Sequence, residues 1–471
     1  MSQNASSSAL GTEKINRLMV KFSFPCVLSL LVSSLYNIVD QMFIGNSELS
    51  TLGNAATGVV FPVFIIAQAF AWCLGDGCAA YLNICQGRND ADDAHKAIGG
   101  SITAAFLSGL LMMAVIYPFK VPILTLFGAS DNTLAYAVEY LNVILAMVPV
   151  YILCNMMNSI VRADGSPAWA MISMLTGAVT NIILDPVFIF GLNMGMTGAA
   201  LATVIGQGVT FLMTLIYFSH TRTFKLTKES LVPRISSIGK VVFLGISTFT
   251  TQVAIVIVAI LCNVQLAKYG EMSKYGADIP IAVFGIQSKI FTVVINLVVG
   301  IVLGCQPIIS YNMGAEKFDR VKELYRKTAT CAILIGLSFT VLFILAPRFV
   351  VGLFGAPANI PNPEDYWEFS ENAMRIFLSL ISISCIIKVN SIFFQAVGKP
   401  GYAAVASMIR DVVCFVPLIL VLPMTSWGVD GILYAAPISD LIAMLVTAVL
   451  IVSFYRSLRK SSATLRDGRL G

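Results

Sequence analysis

The 471-residue chain is 57% hydrophobic and 12% charged, whereas soluble domains carry about 25% charged residues. This balance excludes a soluble globular protein and indicates a polytopic membrane protein. The net charge of +5 comes from loops, and no basic groove interleaved with aromatic residues indicates nucleic-acid binding. The ten cysteines are spread singly, without Cys-x-x-Cys or metal-ligand spacing, so we predict neither a cofactor nor a metal cluster.

Apolar runs divide the chain into regular spans. A polar, Ser-rich lead covers residues 1–15, and the first apolar run is long enough to span a membrane and act as its own uncleaved signal. Runs of about 20 or more residues between charged or Gly/Pro-rich breaks predict twelve membrane-spanning helices. Their predicted limits are 16–44, 55–86, 97–118, 134–161, 167–191, 195–219, 239–268, 280–313, 328–346, 372–397, 401–422 and 428–455. We therefore predict an all-α polytopic membrane protein.

The basic residues predict the orientation of these spans. An even number of spans places both termini on one side, and 22 of the 30 Lys and Arg residues fall in the terminal-side regions. Opposite loops hold only Lys120, Lys268, Lys274 and Arg348. The positive-inside rule therefore predicts a multi-pass membrane protein with both termini in the cytoplasm.

An internal repeat predicts two homologous halves. Residues 78–87 match residues 305–314 at an offset of 227, and Leu126-Phe127-Gly128 recurs as Leu353-Phe354-Gly355. After extra residues near Pro361 the offset becomes 233, which pairs Gly165 with Gly398 and Gly195 with Gly428. Because each half has six spans, the halves share one orientation, as in the parallel repeats of some secondary transporters. We predict an N-lobe over 16–219, a basic cytoplasmic linker over 220–238, a C-lobe over 239–455 and a basic tail over 456–471.

Carboxylates within the spans are the leading functional candidates. An aspartate at the centre of a spanning helix costs about 2.5–3.5 kcal/mol on insertion scales, so it indicates a cavity or a partner. Asn181 and Asp185 lie one turn apart on the fifth span, and Asp40 lies on the first. Pro186 follows Asp185 and collides with the carbonyl of Ile182, which frees another oxygen beside this face.

The repeat separates these polar groups from the scaffold. At the offset of 233, Leu418 stands opposite Asp185 and Cys414 opposite Asn181. The second half therefore folds without them, which favours function over local capping or pairing for Asp185 and for Asp40.

Helical spacing predicts that polar stripes face one pocket in the N-lobe. These stripes are Tyr36, Asn37 and Asp40 on the first span, Asn181 and Asp185 on the fifth, and Thr203 and Gln207 on the sixth. Two nearby carboxylates in a low-dielectric site favour proton binding by one of them. Alternatively, carboxylate, amide and hydroxyl oxygens are suitable ligands for a hard cation such as Na⁺. Plain interhelical hydrogen bonding is an equally good explanation of the amides and hydroxyls.

The fourth span and the second half carry further polar groups. Asn155 and Asn158 lie three residues apart on one face of the fourth span, and Asp76 lies between two glycines. In the second half, Lys289 and Lys388 are single basic groups that can pair with Asp411 or Asp440, and internal ion pairing and gating explain them equally well. Arg410 and Asp411 are adjacent, so an α-helix would not let them face each other.

Four stretches resemble the multidrug and toxic compound extrusion (MATE) family, and the resemblance covers nearly the whole chain. They are residues 36–45 (YNIVDQMFIG), 162–165 (RADG), 181–191 (NIILDPVFIFG) and 195–203 (GMTGAALAT). The resemblance implies two six-helix lobes and export of organic cations driven by inward H⁺ or Na⁺. In its DinF-like and MepA-like branches it implies coupling at Asp40, Asn181, Asp185 and Thr203, and drug contacts at Tyr36, Asn155 and Asn158.

The chain departs from the NorM-like branch, which has coupling acids on its seventh and tenth spans. Here the seventh span has no acid and the tenth has Lys388, which argues against a second-lobe site of that kind.

We therefore predict a secondary active antiporter that is monomeric, lies among membrane lipids and exports small amphipathic cationic drugs, coupled through the N-lobe carboxylates. Asn37 and Gln207 complete the predicted substrate-binding set.

Two other functions compete with this prediction. A flippase for lipid-linked oligosaccharide would need a basic cavity for pyrophosphate, whereas the N-lobe candidates are acidic. An intramembrane enzyme would need a nucleophile-base or metal-ligand constellation, and the sequence shows none. We therefore predict that the chain is not an enzyme.

Overall fold

The computed structural model describes residues 9–47, 50–88, 90–224, 226–227, 229–353 and 363–467, and these contain helices and no strand. The long helices of the first half are α1 Ile15–Gly45, α2 Ser50–Arg88, α3 Ala91–Leu126, α4 Asp131–Ala163, α5 Pro167–Pro186 and α6 Gly195–Phe218. Those that follow are α7 Ile235–Glu271, α8 Asp278–Gly314, α9 Phe318–Leu345, the short α10 Pro347–Gly352, α11 Pro363–Phe377, α12 Ile381–Ala396, α13 Pro400–Met408, α14 Val416–Val421 and α15 Gly428–Asp467.

The described residues contain eleven helices long and apolar enough to cross a membrane, or twelve when one bent pair is counted as a span. The bent pair is α11 and α12, whose axes differ by 46°. The predicted span 372–397 is therefore broken rather than continuous. At the break the Ser379 hydroxyl donates to the carbonyl of Ile376 at 2.7 Å, a local bond that competes with regular helix.

Two spans contain π-helical turns. Pro186 ends α5, and residues Val187–Gly191 continue it as a π-helix. The span predicted at 401–422 is α13, a π-helix over Ile409–Phe415, α14 and a 3₁₀ turn over Leu422–Met424. Such π-turns often occur at functional sites, and both lie on the spans that carry candidate residues.

Backbone geometry confirms the internal repeat. Gly165 and Gly398 both adopt positive φ, at 85° and 73°, and Gly195 and Gly428 do so at 56° and 51°. The same interhelical bond also recurs: the Asn158 amide donates to the carbonyl of Ala170 at 3.2 Å, and the Ser391 hydroxyl donates to the carbonyl of Ala403 at 3.3 Å. Each pair is separated by 233 residues, so the two halves share one helical frame.

The chain forms two compact units, each with its own core. The first comprises Met1–Val253, Leu303–Lys317 and Gln395–Pro400, and the second comprises Ala254–Val302, Phe318–Phe394 and Gly401–Gly471. The units therefore differ from the predicted lobes, because the first half of α7 and short stretches after Val302 and Phe394 join the first unit.

Most helices extend beyond the predicted limits: α3 covers Ala91–Leu126 where 97–118 was predicted, and α9 begins at Phe318 rather than at 328. Two connecting segments differ as well. The linker of 220–238 is shorter than predicted because α7 begins at Ile235, and the predicted tail is helical to Asp467 as part of α15. Residues 1–8 of the lead, Lys225 and Lys228 of the linker, the repeat at 354–355, Pro361 and residues 468–471 lie outside the described residues.

Candidate functional site

The first unit brings the predicted acids together where α1, α5 and α6 meet. Asp185 is fully buried and Asn181 is 2% exposed, on the face of α5 that packs against α6. A Cβ atom on Gly177 would lie 2.6 Å from the carbonyl oxygen of Gly206. Only glycine therefore permits this approach of the two helices, which holds Asn181 against α6.

The acid pair, defined as Asp40 and Asp185, is the centre of the candidate site. The two carboxyl groups are neighbours that interact with each other, and the Asn181 amide lies 3.5 Å from an Asp185 oxygen. Asp40 Oδ1, Asp185 Oδ2 and Asn181 Oδ1 are buried oxygens without a hydrogen-bond partner. Buried polar atoms rarely stay unsatisfied, so this cluster is suited to hold a proton or a small cation.

No cluster of classical metal ligands occurs at this site. Among the described residues, no group of three or more His, Cys, Asp or Glu side chains could hold a metal ion. A hard cation here would therefore bind carboxylate and amide oxygens, with Thr203 as a further hydroxyl on α6.

A cavity of about 100 Å³ with both polar and apolar lining residues lies in the first unit beside the acid pair. We call its end at Tyr36, Asn181 and Thr203 the outer end, and its end at Asp76 and Arg162 the inner end. Along α4 the wall extends from Tyr151 to Arg162, about 16 Å at 1.5 Å per residue. Asp185 and Asp40 lie one turn beyond Asn181 and Tyr36, so the acid pair closes the outer end without forming the wall.

The structure brings most of the predicted substrate-binding residues into this wall. Tyr36, Asn155, Asn158 and Gln207 line the cavity. Asn37 does not: it is exposed and its amide donates to the carbonyl of Ser33 at 2.7 Å. One helical position separates Asn37 from Tyr36, which is about 100° of rotation and sufficient to move the side chain off the cavity face.

Several residues of the wall were not predicted as site residues, above all Gln68 and Trp72 on α2, which join the Asp76 noted in the sequence. Gln68, Trp72 and Asp76 all line the cavity. They recur every fourth residue and so occupy one helix face, a pattern visible in the sequence. Cys26, Cys154 and Met174 also line it, but a single cysteine or methionine in an apolar span gives no comparable signal.

The inner end of the cavity contains an ion pair between Asp76 and Arg162, and the Ser159 hydroxyl hydrogen-bonds to both. Arg162 lies 3.4 Å from Asp76, and their side chains are 18% and 5% exposed. The Ser159 hydroxyl donates to Asp76 at 3.0 Å and lies 2.8 Å from the Arg162 guanidinium. Arg162 also donates to the Asn158 side-chain oxygen at 3.1 Å. A helical side chain leans toward the N-terminus of its helix, so Arg162 in the last turn of α4 reaches back into the unit.

The second unit contains a separate charged network. Arg410 lies 2.7 Å from Asp440 and 2.6 Å from Asp411, and Lys388 lies 3.1 Å from Asp411. The Ser384 hydroxyl donates to both oxygens of Asp440, at 2.8 and 2.9 Å. All of these groups lie within the second unit, and every charge has an opposite partner.

Two expectations about this network require correction. Arg410 and Asp411 do face each other, because Ile409–Phe415 is π-helical rather than α-helical and the arginine side chain is long. Lys289 is exposed and takes no part in the network, whereas Arg410, absent from the predicted set, is its centre. Lys388, Asp411 and Asp440 come together as expected.

Comparison with known proteins identifies several that this chain resembles. The MatE family model matches residues 25–187 and 254–421. The multidrug export protein MepA of Staphylococcus haemolyticus (strain JCSC1435) is 26% identical over 459 residues, which cover 96% of each chain. A crystal structure of MATE in complex with MaL6 is 22% identical, covers 96% of this chain and 99% of its own, and has a TM-score of 0.88. An outward-facing MATE family transporter of the MOP superfamily is 23% identical, covers 94% and 96%, and has a TM-score of 0.85.

Proposed function

The chain belongs to the MatE family of transporters, and we propose that it is a secondary active multidrug antiporter that exports amphipathic organic cations in exchange for H⁺ or Na⁺. The observation that carries this proposal is the acid pair of Asp40 and Asp185, with its unsatisfied buried oxygens beside the cavity of the first unit. The staphylococcal relatives are multidrug export proteins, and the fold of this chain suits the same task.

Exchange follows from competition for the same negative charge. A proton or Na⁺ at the acid pair neutralises it, and a cationic substrate near the pair is then bound more weakly. A ligand shifts a conformational equilibrium only by its differential affinity for the two states. Because the coupling ion and the drug stabilise different charge states of one site, each biases the transporter toward the conformation that releases the other.

Aromatic residues in the cavity wall favour organic cations as the exported class. Tyr36, Trp72 and Tyr151 line the cavity, and the faces of such rings attract cations by about 0.5–2 kcal/mol each. With the acids at the outer end, this wall suits molecules that combine positive charge with apolar surface in a conformation in which the cavity is wider than its present volume of about 100 Å³.

The charges of the first unit argue against lipid-linked oligosaccharide as the substrate. Asp40, Asp76 and Asp185 contribute three carboxylates to the cavity and its outer end, against the single base Arg162. That base is already paired with Asp76. A pyrophosphate group would meet net negative charge in this cavity, which opposes its entry.

For the setting, we infer a monomer in the bacterial cytoplasmic membrane. The basic loops and the described termini share one side by the count of spans, and the positive-inside rule places that side in the cytoplasm. Addition of an impermeant amine-reactive reagent to intact cells tests this orientation, because labelling of the basic loops only after the cells are opened is the expected outcome.

Efflux from proteoliposomes tests the exchange. We expect a fluorescent organic cation to be transported against its gradient under an imposed H⁺ or Na⁺ gradient, and Asp40→Asn and Asp185→Asn each to reduce this to the level of protein-free vesicles. Each variant removes a titratable charge and retains size and polarity, so the folded protein remains in the membrane.

Glu139→Gln is the matched control for these variants. Glu139 lies in the same unit and accepts hydrogen bonds from Thr197 at 2.6 and 3.0 Å, but is exposed and away from the cavity. This variant should keep coupled export. Coupled export that persists in Asp40→Asn or Asp185→Asn would overturn the assigned role of that residue, and no export under either gradient would overturn antiport.

A further inference from the structure

The size of the cavity in the first unit indicates ions and water as its contents. Drug-sized ligands occupy pockets of about 300–1,000 Å³, and this cavity measures about 100 Å³. A water molecule needs about 10–15 Å³ of such space, so several fit in a file. In this conformation the cavity therefore suits a small hydrated cation better than a drug molecule.

The cavity also has the position of an ion route. It begins one turn from the acid pair and extends about 16 Å along α4 toward the inner end. Polar side chains recur along its length, among them Gln207, Asn155 and Asn158, and these can hydrogen-bond successive waters. An ion released from the acid pair thus meets polar side chains along the length of this cavity within the first unit.

The Asp76–Arg162 pair closes the inner end of this path. A guanidinium at the mouth repels a cation and neutralises the only carboxylate of the inner wall. Arg162 is the more exposed partner, at 18% against 5% for Asp76, so it can move outward while Asp76 stays fixed by Ser159 at 3.0 Å. Its departure changes the charge at the mouth from zero to −1, which attracts a cation.

We propose that the Asp76–Arg162 pair is the inner gate of a hydrated cation path, and that outward movement of Arg162 releases the coupling ion from the acid pair to the side of the basic loops. This inference rests on the proposed function, because it concerns the same coupling ion. Arg162 acts here as a positioning residue and contacts neither drug nor acid pair. When the guanidinium lies against Asp76, the path is shut and the ion stays with the acid pair.

A cysteine in the cavity wall makes the gate measurable. Cys26 lines the cavity on α1, and a variant that keeps it as the sole cysteine reports access from the inner side. With the full-length protein in vesicles, a small positively charged methanethiosulfonate added on the side of the basic loops should modify Cys26 slowly. Arg162→Gln should accelerate this by about tenfold or more, the effect of losing a charge-assisted contact, and Arg162→Lys should restore slow modification.

A second readout distinguishes gating from general loosening. In the absence of drug, Arg162→Gln should dissipate an imposed gradient of the coupling ion several-fold faster than the unchanged protein. Lys240→Gln is the matched control, because it breaks an ion pair with Asp93 in the same unit whose members do not line the cavity. This control should leave both the modification rate and the leak unchanged.

A double variant keeps the test valid if Arg162→Gln does not fold. Asp76→Asn/Arg162→Gln leaves no uncompensated carboxylate, so we expect a folded protein with fast Cys26 modification but a smaller leak than the single variant. Unchanged modification and leak in both variants would overturn the gate. Failure of drug export under either gradient would overturn the proposed function instead, and the Cys26 modification rates would still report whether Arg162 closes the cavity.

Discussion

The two units share the same helical arrangement but place different kinds of side chain at equivalent positions. At the offset of 233 residues, the cavity-lining residues of the first unit stand opposite the charged network of the second. The pairs are Tyr151 with Ser384, Asn155 with Lys388, Gly177 with Arg410, Ala178 with Asp411, and Gln207 with Asp440. Where one unit has a cavity of about 100 Å³, the other has long side chains joined by ion pairs.

This difference shows which unit needs a bound ion to balance its buried charges. Lys388 and Arg410 balance Asp411 and Asp440, so the network has no net charge and every member has a partner. Among the described residues the acid pair of the first unit has no basic partner, and Asp40, Asp185 and Asn181 each leave one buried oxygen unsatisfied. We therefore assign ion binding to the first unit and a structural role to the network of the second.

The largest expected effect comes from breaking the network at its centre. Arg410→Met leaves Asp411 and Asp440 buried against one lysine, and removal of one partner from a buried ion pair costs about 3–5 kcal/mol. We expect thermal unfolding in detergent to show a loss of that size, and Arg162→Met to lose less because its side chain is more exposed. Arg410→Met/Asp440→Leu should recover most of the loss, since a balanced Lys388–Asp411 pair remains. Equal stability of Arg410→Met and the unchanged protein would contradict this account.

A second contrast concerns the loop after α4. The Asp164 carboxylate accepts hydrogen bonds from the backbone amides of Arg222 and Thr223, both at 2.8 Å, and from the Tyr217 hydroxyl at 2.6 Å. Its counterpart Val397 has no such group. A buried donor left unsatisfied costs about 1–3 kcal/mol. Only the Tyr217 hydroxyl is buried, and the two partly buried amides can bond water, so Asp164→Ala should lower the free energy of unfolding by about 2–3 kcal/mol. Asp164→Asn keeps an acceptor oxygen and should cost less, and an Asn variant as unstable as the Ala variant would argue for a charge effect instead.

The paired glycines offer a test in which the units should agree. Gly165 and Gly398 adopt φ of 85° and 73°, a conformation in which a Cβ atom costs about 1–2 kcal/mol. Gly165→Ala and Gly398→Ala should each destabilise by about 1 kcal/mol in thermal unfolding. Gly398→Ala should be slightly worse, because its Cβ would lie 3.3 Å from Ile84 Cδ1 while the Cβ on Gly165 meets open space. Opposite signs would show that the two turns are not equivalent.

The smallest expected change in stability comes from a variant that also tests whether the second unit takes part in ion coupling. Lys388→Met/Asp411→Leu removes one balanced pair and leaves Arg410 bonded to Asp440. Replacement of a buried pair by apolar residues of similar volume is often nearly neutral, so we expect stability within about 1 kcal/mol. Ion-driven export in proteoliposomes should persist, unlike in Asp40→Asn. Loss of export in the folded double variant would mean that the second unit also takes part in coupling.

Much of the fold could be predicted because its causes are local. A bilayer requires about 20 apolar residues per span, so composition alone located the helices. The internal repeat could also be predicted from the sequence. Gly165 and Gly398 recur at equivalent positions because both adopt a backbone conformation that disfavours other residues. The acids Asp40 and Asp185 stood out for the same reason, since the insertion cost of a carboxylate is a property of its own helix.

Contacts between distant helices could not be predicted in this way. The pairing of Asp76 with Arg162 joins residues 86 positions apart, and α-helical periodicity gave the wrong answer for Arg410 and Asp411 because the turn is π-helical. Asn37 lies off the cavity face because it is one helical position away from Tyr36, a rotation of about 100°. The sequence by itself determined the number of spans, the repeat and the unusual acids, because these depend on solvation and backbone geometry within single segments. Only the tertiary structure decided which of the buried charges are balanced by partners, because that depends on which faces the packed helices turn toward one another.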